Sequence, residues 1–411
     1  MNKKTNLRVC VVTHTFPRDK KDPTAPFMRE FAQGLSQAGA DVTVLTPWTR
    51  NLVTKTSSFG INTYKYIWPD IFHRLGYSRA MSADVSLKFY NYFLIPFMII
   101  FGVINLIRIS KNKKIDIVNV HWILPNGLIA YIASFFTKVP YVITLPGTDV
   151  YLVKKSRLLA HIAKAIADRS VGITSNNTYF LDTITQLGVD KPTEVISYPS
   201  DISIYKPSKR LRNKWRTTYK ISSNTIVLTG VGRFVYKKGF EYLIKSFAKL
   251  NKLHKNTMLV LVGDGLLRSE YEKLVDSLGV GGSTLFAGMI QRDDLSGIYN
   301  MSDIFVVPSV IDKKGNVDGS PVALVEAMAC GVPAVITNVV GISNDFKEKD
   351  YVSVVKEKNV QELTSSLSVL CNNNQKRKRY GARCATYATH NLSTRIIGNK
   401  YCEFFKKTMY E

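Results

Sequence analysis

The sequence lacks the residue patterns of a metal enzyme, a disulfide scaffold and a nucleic-acid-binding module. Its five cysteines among 411 residues are odd in number and scattered, and none forms a Cys-x-x-Cys pair, which indicates reduced structural thiols. No Asp-x-Asp pair occurs, and no His/Cys cluster has the spacing of metal ligands. Zinc-knuckle spacing and an aromatic RNA-binding signature are absent too, so a nucleic-acid partner is not expected. The sequence therefore predicts no bound metal.

Acidic residues are few. The chain has 56 Lys and Arg against 31 Asp and Glu, a formal net charge of +25. This excess is spread over both halves, with +12 in residues 1–200 and +13 in the remainder, so it is not a basic tail. Spread positive charge favours an anionic membrane surface as a partner, with ordinary solvated charge as the alternative.

Long hydrophobic runs are also scarce, and one segment stands out, Phe89 to Ile109, whose only charge is Arg108. Its length would span a bilayer. A spanning helix is disfavoured, because it would separate strand Leu7–Thr13 from strand Ile115–Val120, with which it should share a sheet. A core-covering helix and an interfacial helix near the lipid remain open. The N-terminal apolar run, Val9 to Thr13, is too short for a secretory signal, so we expect a cytoplasmic protein held peripherally at the inner face of the cell membrane.

Strands and helices alternate along the whole chain, which predicts an α/β protein with two doubly wound halves. The first half has predicted strands at Leu7–Thr13, Asp41–Thr46, Ile115–Val120, Tyr141–Leu145, Val171–Thr174 and Glu194–Ser197. The second has them at Ile226–Thr229, Met258–Val262, Thr284–Phe286, Ile304–Val307 and Ala334–Thr337. A linker rich in Pro and Ser, Tyr198 to Ser208, separates the halves. We expect domains at residues 1–200 and 201–385, with a C-terminal helix in residues 386–411 packing back on the first domain.

The most informative stretch, residues 306–337, reads VVPSVIDKKGNVDGSPVALVEAMACGVPAVIT. It predicts a strand ending at Val307, a long loop, a helix over Pro321–Ala329 with Ser320 as N-cap, and a second strand. Ligands of parallel sheets bind at the carboxyl ends of strands, where helix N-termini attract anions. An anionic ligand is therefore expected near Ser320, Pro321 and Val322. Asp318 on the loop and Glu326 in the helix could accept hydrogen bonds from hydroxyl groups on either side of a phosphate.

The segment DGSPVALVEAMACGVPAVIT resembles the signature of glycosyltransferase family 4, retaining enzymes of the GT-B fold. Four further stretches are similar to family motifs and stand in the family's order: Gly230–Leu243 (GVGRFVYKKGFEYL), Leu261–Tyr271 (LVGDGLLRSEY), Phe286–Leu295 and Tyr299–Ser309. The resemblance covers roughly residues 225–340 and is looser in the N-terminal half. It implies two Rossmann-like domains facing a cleft, the first binding the acceptor and the second the nucleotide sugar.

The loop that begins at Gly230 follows a strand and precedes a helix. Gly232 there permits close backbone approach, and Arg233 and Lys238 offer cationic donors to a diphosphate. Each of these two could instead be an ordinary surface cation.

By resemblance, Glu326 accepts both ribose hydroxyls of the nucleotide, and Gly263 lies beside the base. Asp318, which replaces the commoner Glu, contacts the transferred sugar. The alternatives are a solvated helix carboxylate for Glu326 and an ordinary strand-to-helix turn at Gly263.

The N-terminal half offers three weaker candidates for the acceptor and sugar side. His121 directly follows a strand, which would aim it into the cleft. Similar enzymes carry a histidine here, near the transferred sugar, and a core histidine is the alternative. Asp149 resembles part of an HG-x-D stretch, although Pro146 replaces the family's histidine. His14 ends the first strand, beside a segment with Thr, Ala and Pro where relatives have a glycine-rich loop.

The resemblance implies a retaining, metal-independent hexosyltransferase without a cofactor, whose donor substrate is a nucleotide diphosphate sugar and whose acceptor is a glycan or lipid-linked glycan. The catalytic set would be Asp318, His121, Arg233 and Lys238. The implied route is front-face attack, in which the departing phosphate accepts the proton of the acceptor hydroxyl. A nucleotide-sugar 2-epimerase of the same architecture is the alternative function. A non-catalytic basic scaffold is disfavoured, because the charged donor-site residues are intact.

Overall fold

The computed structural model describes residues 6–19, 22, 24–54, 56–68, 75, 92–313, 315–319, 321–346 and 349–410. The chain divides into two compact units. The first unit runs to Pro199 and includes the chain from Thr394 onward, and the second unit covers Ser200–Ser393. Each unit has its own parallel β-sheet.

Seven strands form the sheet of the first unit: β1 (Arg8–Val12), β2 (Asp41–Pro47), β3 (Gly60–Tyr64), β4 (Ile117–His121), β5 (Tyr141–Leu145), β6 (Gly172–Ser175) and β7 (Thr193–Val195). Their order across the sheet is β3-β2-β1-β4-β5-β6-β7, and all pairs are parallel. The order reverses between β1 and β4. In doubly wound sheets ligands bind at the carboxyl ends of the strands beside such a reversal.

The described residues of the same unit form seven α-helices: α1 (Pro26–Gln37), α2 (Leu94–Asn112), α3 (Leu128–Thr137), α4 (Thr148–Lys155), α5 (Arg157–Arg169), α6 (Thr178–Thr185) and, after the second unit in sequence, α14 (Thr394–Tyr410). Helix α14 packs on α1, where the Tyr401 ring lies 4.7 Å from the Phe31 ring. The backbones touch at two glycines, since a Cβ atom on Gly398 would lie 2.0 Å from the carbonyl oxygen of Gly34.

Helix α2 contains most of the apolar segment that the sequence analysis singled out, although residues 89–91 lie outside the described part. Its length and hydropathy alone would allow it to cross a membrane, but about one third of its most apolar stretch is buried in the protein. Met98 and Leu106 point into the core, and α2 packs against α3. The opposite face is apolar and exposed. The helix thus covers the core on one side and leaves an apolar surface on the other.

Six parallel strands form the sheet of the second unit: β8 (Ile226–Val231), β9 (Thr257–Val262), β10 (Thr284–Gly288), β11 (Ile304–Val307), β12 (Ala334–Thr337) and β13 (Val352–Val355). Their order is β10-β9-β8-β11-β12-β13, so this sheet reverses between β8 and β11. Its strands are rich in apolar β-branched residues, as expected for a sheet covered by helices on both faces.

The helices of the second unit are α7 (Lys209–Thr218), α8 (Phe240–Leu253), α9 (Arg268–Ser277), α10 (Arg292–Met301), α11 (Val322–Ala329), α12 (Val360–Asn372) and α13 (Asn374–Asn391). Phe240 and Phe247, on α8, and Phe234, on the loop before it, are fully buried in the core that α8 and α9 form with the sheet. This core holds the loops at the carboxyl ends of β8 and β11 in place.

The predicted fold class, two Rossmann-like doubly wound domains, is confirmed by these two sheets. The bounds of β5, β11 and β12 are those that the sequence predicted. Two strands, β3 and β13, were not predicted. Each lies at an edge of its sheet, where it pairs with one neighbour only.

Candidate functional site

The loops that follow β8, β9 and β11 lie at the carboxyl edge of the second sheet, beside the reversal of strand order. Gly232 donates its N–H to the carbonyl of Val262. Gly263 adopts a φ of 126°, and a Cβ atom there would lie 2.0 Å from the carbonyl oxygen of Gly232. Only glycine fits at this contact, so the two loops form one closely packed floor.

Lys238 and Asp318 meet at this edge, although 80 residues separate them in sequence. The Lys238 ammonium donates to the Asp318 carboxylate at 2.6 Å, and both side chains are largely buried. Ser309, just after β11, donates a second hydrogen bond of 3.2 Å. Burial disfavours the charged carboxyl, but Lys238, Lys237 and Ser309 outweigh this effect and lower the pKa of Asp318. A carboxylate and an ammonium are thus fixed side by side in their charged forms.

The N-terminus of α11 faces the same edge. The helix begins at Val322, and Pro321 is its N-cap with extended backbone dihedrals. The prediction that Pro321 is the first helical residue was therefore wrong by one position. Ser320, the predicted N-cap, lies outside the described residues. Arg233 is exposed on the loop that leads from Gly232 to the turn at Lys238.

Glu326 lies inside α11 and is only 5% exposed. The Tyr299 hydroxyl donates to its carboxylate at 2.7 Å. The hydroxyls of Tyr205 and Ser200 are also close to this carboxylate. Burial raises the pKa of Glu326, and these hydroxyls oppose the rise by stabilising the ionised form. The structure therefore contradicts the alternative of a solvated helix carboxylate at Glu326.

The sequence analysis did not identify Tyr299, Tyr205 or Ser200 as part of this site. Tyr299 lies on α10, and Tyr205 and Ser200 lie in the segment interpreted as a linker. These contacts could not be predicted, because the three residues are distant from Glu326 in sequence. A tyrosine on the core-facing side of a helix, as Tyr299 is, needs a hydrogen-bond partner for its hydroxyl, and this is the signal that could have indicated a buried acceptor.

In the first unit, His14 and His121 lie at the carboxyl ends of β1 and β4. His121 is fully buried, and its Nδ1 atom lies 2.7 Å from the Tyr198 hydroxyl. Asn126 bridges the pair, with its amide nitrogen 3.0 Å from His14 Nδ1 and 2.6 Å from the His121 carbonyl. The Trp122 ring lies 4.4 Å from the His14 ring. Both histidines are thus held in an aromatic, water-poor cluster.

Burial sets the protonation of these histidines. It lowers the pKa of His14 to about 4. It lowers the pKa of His121 to about 3, with a smaller contribution from the charge on His14. Both rings are therefore neutral at pH 7. The buried position of His121 is what the core-histidine alternative expects, and its contact with a sugar stays a prediction. Asp149 lies in the first turn of α4, and its side chain is outside what the structure describes.

Across the described part of the chain, no three His, Cys, Asp or Glu side chains are grouped so that they could hold a metal ion. The five cysteines are free and buried. Metal independence remains a prediction.

Two family models together match most of the chain. Residues 25–203 match the model described as Glycosyltransferase Family 4, and residues 212–385 match the one described as Glycosyl transferases group 1. The chain belongs to glycosyltransferase family 4. It is therefore a glycosyltransferase.

Individual relatives agree with this family. The chain is 26% identical to N-acetyl-alpha-D-glucosaminyl L-malate synthase from Bacillus anthracis, over 67% of this chain and 70% of that protein. It is 25% identical to a GDP-mannose-dependent alpha-(1-6)-phosphatidylinositol monomannoside mannosyltransferase from Mycolicibacterium smegmatis, over 49% of this chain and 53% of that one. The fold is similar to that of HepE from Anabaena, solved in complex with UDP, with a TM-score of 0.73 and 17% identity over 98% of this chain and 100% of that chain.

Proposed function

We propose that the protein transfers a hexose-type sugar from a nucleotide diphosphate sugar to a glycan or lipid-linked acceptor, with retention of anomeric configuration. The observation that carries the proposal is the Lys238–Asp318 pair beside the N-terminus of α11. A cation for the diphosphate and a carboxylate for sugar hydroxyls lie 2.6 Å apart, which suits a ligand in which a sugar is joined to a phosphate.

The donor proposal is supported by the surroundings of this pair. Arg233 and the N–H groups at the start of α11 can approach the diphosphate, and Glu326 can approach ribose hydroxyls. HepE, which shares the fold, was solved with UDP and also with UDP-glucose. A uridine nucleotide is therefore a rational first donor to test, although the mannosyltransferase relative is GDP-mannose-dependent.

In the proposed step, the acceptor oxygen bonds to the anomeric carbon as the bond from that carbon to the phosphate oxygen breaks. The departing phosphate takes the proton of the acceptor hydroxyl. Negative charge grows on the phosphate, and Lys238, Arg233 and the α11 N–H groups stabilise it without a divalent ion. Oriented cations and dipoles of this kind contribute several kcal/mol, roughly, to lowering a barrier.

Transfer is tested with purified protein, UDP-, GDP- and ADP-sugars, and acceptor lipid, with and without EDTA. We expect nucleotide diphosphate to be released only when acceptor is present, no loss of rate in EDTA, and a product with the donor's anomeric configuration by NMR. Conversion of the nucleotide sugar without acceptor would instead mean an isomerase. Inverted product would exclude the front-face route.

For the acceptor side we propose that the protein is cytoplasmic and binds the inner, anionic face of the membrane through α2. Exposed apolar residues form a stripe along this helix at Phe97, Ile100, Phe101 and Ile104. The stripe continues at helical spacing into the exposed cations Arg108 and Lys111, and the exposed Lys114 follows just beyond the end of the helix. An apolar face followed by positive charge fits the boundary between acyl chains and anionic headgroups. The relative that acts on a phosphatidylinositol mannoside is consistent with a lipid acceptor.

Membrane binding is tested by vesicle flotation of a triple variant, Phe97→Ser, Ile100→Ser and Phe101→Ser. Wild-type protein should float with anionic vesicles, stay behind with neutral ones, and be released at about 1 M salt, where charges are screened within about 3 Å. The triple variant should lose most of the flotation while keeping its circular dichroism. Leu158→Ser on α5, which is 69% exposed, is the control and should float normally. Equal flotation of the triple variant and the wild type would exclude α2 as the contact.

A further inference from the structure

A charged cavity lies in the second unit, at the edge of the sheet opposite to the proposed donor site. It has a volume of about 290 Å³. Asp303 and Pro333, which line it, directly precede β11 and β12, so the cavity opens at the amino ends of the strands. Strand β11 has four residues, which places the two edges roughly 13 Å apart. A ligand here would not overlap the donor.

Four cationic side chains line this cavity, Lys209 and Arg212 from α7 and Arg377 and Lys378 from α13. Among the described residues of its lining, Asp303 is the one acidic residue. That carboxylate already binds two guanidinium groups, at 2.7 Å from Arg212 and at 2.5 Å from Arg216. The cavity therefore keeps an excess of positive charge that the surrounding described residues do not neutralise.

Two of the cations are held rigidly by the backbone. Arg212 donates to the carbonyls of Asn300, Met301 and Ser302, besides its bond to Asp303. Arg377 donates to the carbonyls of Leu370 and Cys371 at 2.6 and 2.8 Å. Lys209 and Lys378, in contrast, are exposed, and neither has an ion-pair partner within the described ranges. Fixed guanidinium groups and two exposed ammonium groups in the lining suit the binding of a small anion.

The two helices whose N-termini border the cavity, α7 and α13, carry cations in their first turns, which is unfavourable unless an anion is bound nearby. Acidic residues stand in the first turn of α8, α9, α10 and α12, where they complement the positive end of the helix dipole. No acid stands in the first turn of α7 or α13, and cations stand there instead. Cations at a helix N-terminus are unfavourable unless an anion lies between them. Both of these helix ends face the same cavity.

We propose that this cavity is a second anion site, which binds a phosphoryl group separately from the donor. The ligand is either a soluble phosphorylated molecule or the phosphate of a lipid headgroup. The wall of the cavity connects to the donor site, because Asn300 contacts Cys330 at the end of α11 and neighbours Tyr299, which binds Glu326. The proposal does not depend on the sugar that the donor site accepts.

Binding is measured by calorimetry with inorganic pyrophosphate. The full chain carries Arg233→Ala and Lys238→Ala in all samples, so that the proposed donor contacts do not contribute. In this background Lys209→Ala with Lys378→Ala should weaken pyrophosphate binding about tenfold or more, because two charge-assisted contacts are lost. Lys252→Ala with Lys255→Ala removes the same charge from another exposed part of the second unit and should change the affinity by less than about twofold.

Flotation of both lysine-pair variants with phosphatidylglycerol vesicles distinguishes a lipid phosphate from a soluble phosphorylated ligand. Reduced flotation for the Lys209 and Lys378 pair alone assigns the site to a lipid phosphate. Unchanged flotation together with weakened pyrophosphate binding assigns it to a soluble ligand. The proposal is overturned if the two pairs behave alike in both assays, since the effect is then general charge. Because both cavity lysines are exposed, thermal unfolding should be the same in the background protein and in both lysine-pair variants.

Discussion

Lowering the pH from 7 to 5 should destabilise the first unit, because His14 and His121 are buried in their neutral forms. Unfolding exposes both rings to water, where they take up protons near pH 6.5. In the folded protein they remain neutral until about pH 4 and about pH 3. The unfolded state therefore binds more protons below pH 6.5, and stability falls with pH in that range.

The size of this effect follows from proton linkage. For each proton that the unfolded state binds and the folded state does not, the free energy of unfolding falls by about 1.4 kcal/mol per pH unit. Each histidine should therefore lower the free energy of unfolding by about 2 kcal/mol between pH 7 and pH 5. The two together should cost about 4 kcal/mol, a large share of the roughly 5–15 kcal/mol by which domains are stable.

The measurement is urea denaturation at pH 7, 6 and 5, read by hydrogen exchange in peptides of the first unit. His14→Gln and His121→Gln should each remove about half of the pH dependence, whatever they do to stability at pH 7. His161→Gln, an exposed histidine on α5, is the control and should leave the pH dependence unchanged. The same pH dependence in all four proteins would refute the assignment to the two buried rings.

Three further substitutions test the second unit. Tyr299→Phe should weaken nucleotide binding, measured by calorimetry, by no more than about 1.5 to 3 kcal/mol, because Glu326 loses a hydrogen bond that orients its carboxylate. Unchanged affinity would mean that Glu326 does not touch the nucleotide. Asp318→Asn should lower sugar transfer more than binding of free nucleotide, and an equal loss in both would remove its role at the sugar. Gly263→Ala should lower the melting temperature, since its Cβ would collide with Gly232, and a melting temperature equal to that of the wild type would contradict the close contact.

Much of the fold was predictable because its strands are continuous apolar, β-branched runs bounded by turn residues. Ile304–Val307 and Ala334–Thr337 have this pattern, and their predicted bounds match the structure. The strand Gly60–Tyr64 has one strongly apolar residue, and its pairing with β2 comes from tertiary contact. Local sequence carries little signal for such an edge strand.

Site residues that lie within one sequence motif could be predicted. Contacts that arise only because distant segments meet in the fold could not. Asp318 and Glu326 follow from one segment of sequence. The position of Lys238 beside Asp318 depends on two loops meeting at the sheet edge, and the Tyr299 contact depends on α10 lying against α11. His121 was expected to face a cleft, and its burial follows from packing against Phe31 and Tyr198, which no local pattern encodes.

The place of α14 has a consequence for how the protein forms during synthesis. The first unit contains the first 199 residues, yet its surface on α1 is covered by a helix that begins at Thr394. At roughly 5–20 residues per second, the ribosome needs about ten to forty seconds to make the chain between them. Throughout that interval Phe31 lacks its partner Tyr401 and an apolar face is open to solvent. Nascent chains stalled before Thr394 should therefore bind chaperones, and release should come only when the last helix emerges.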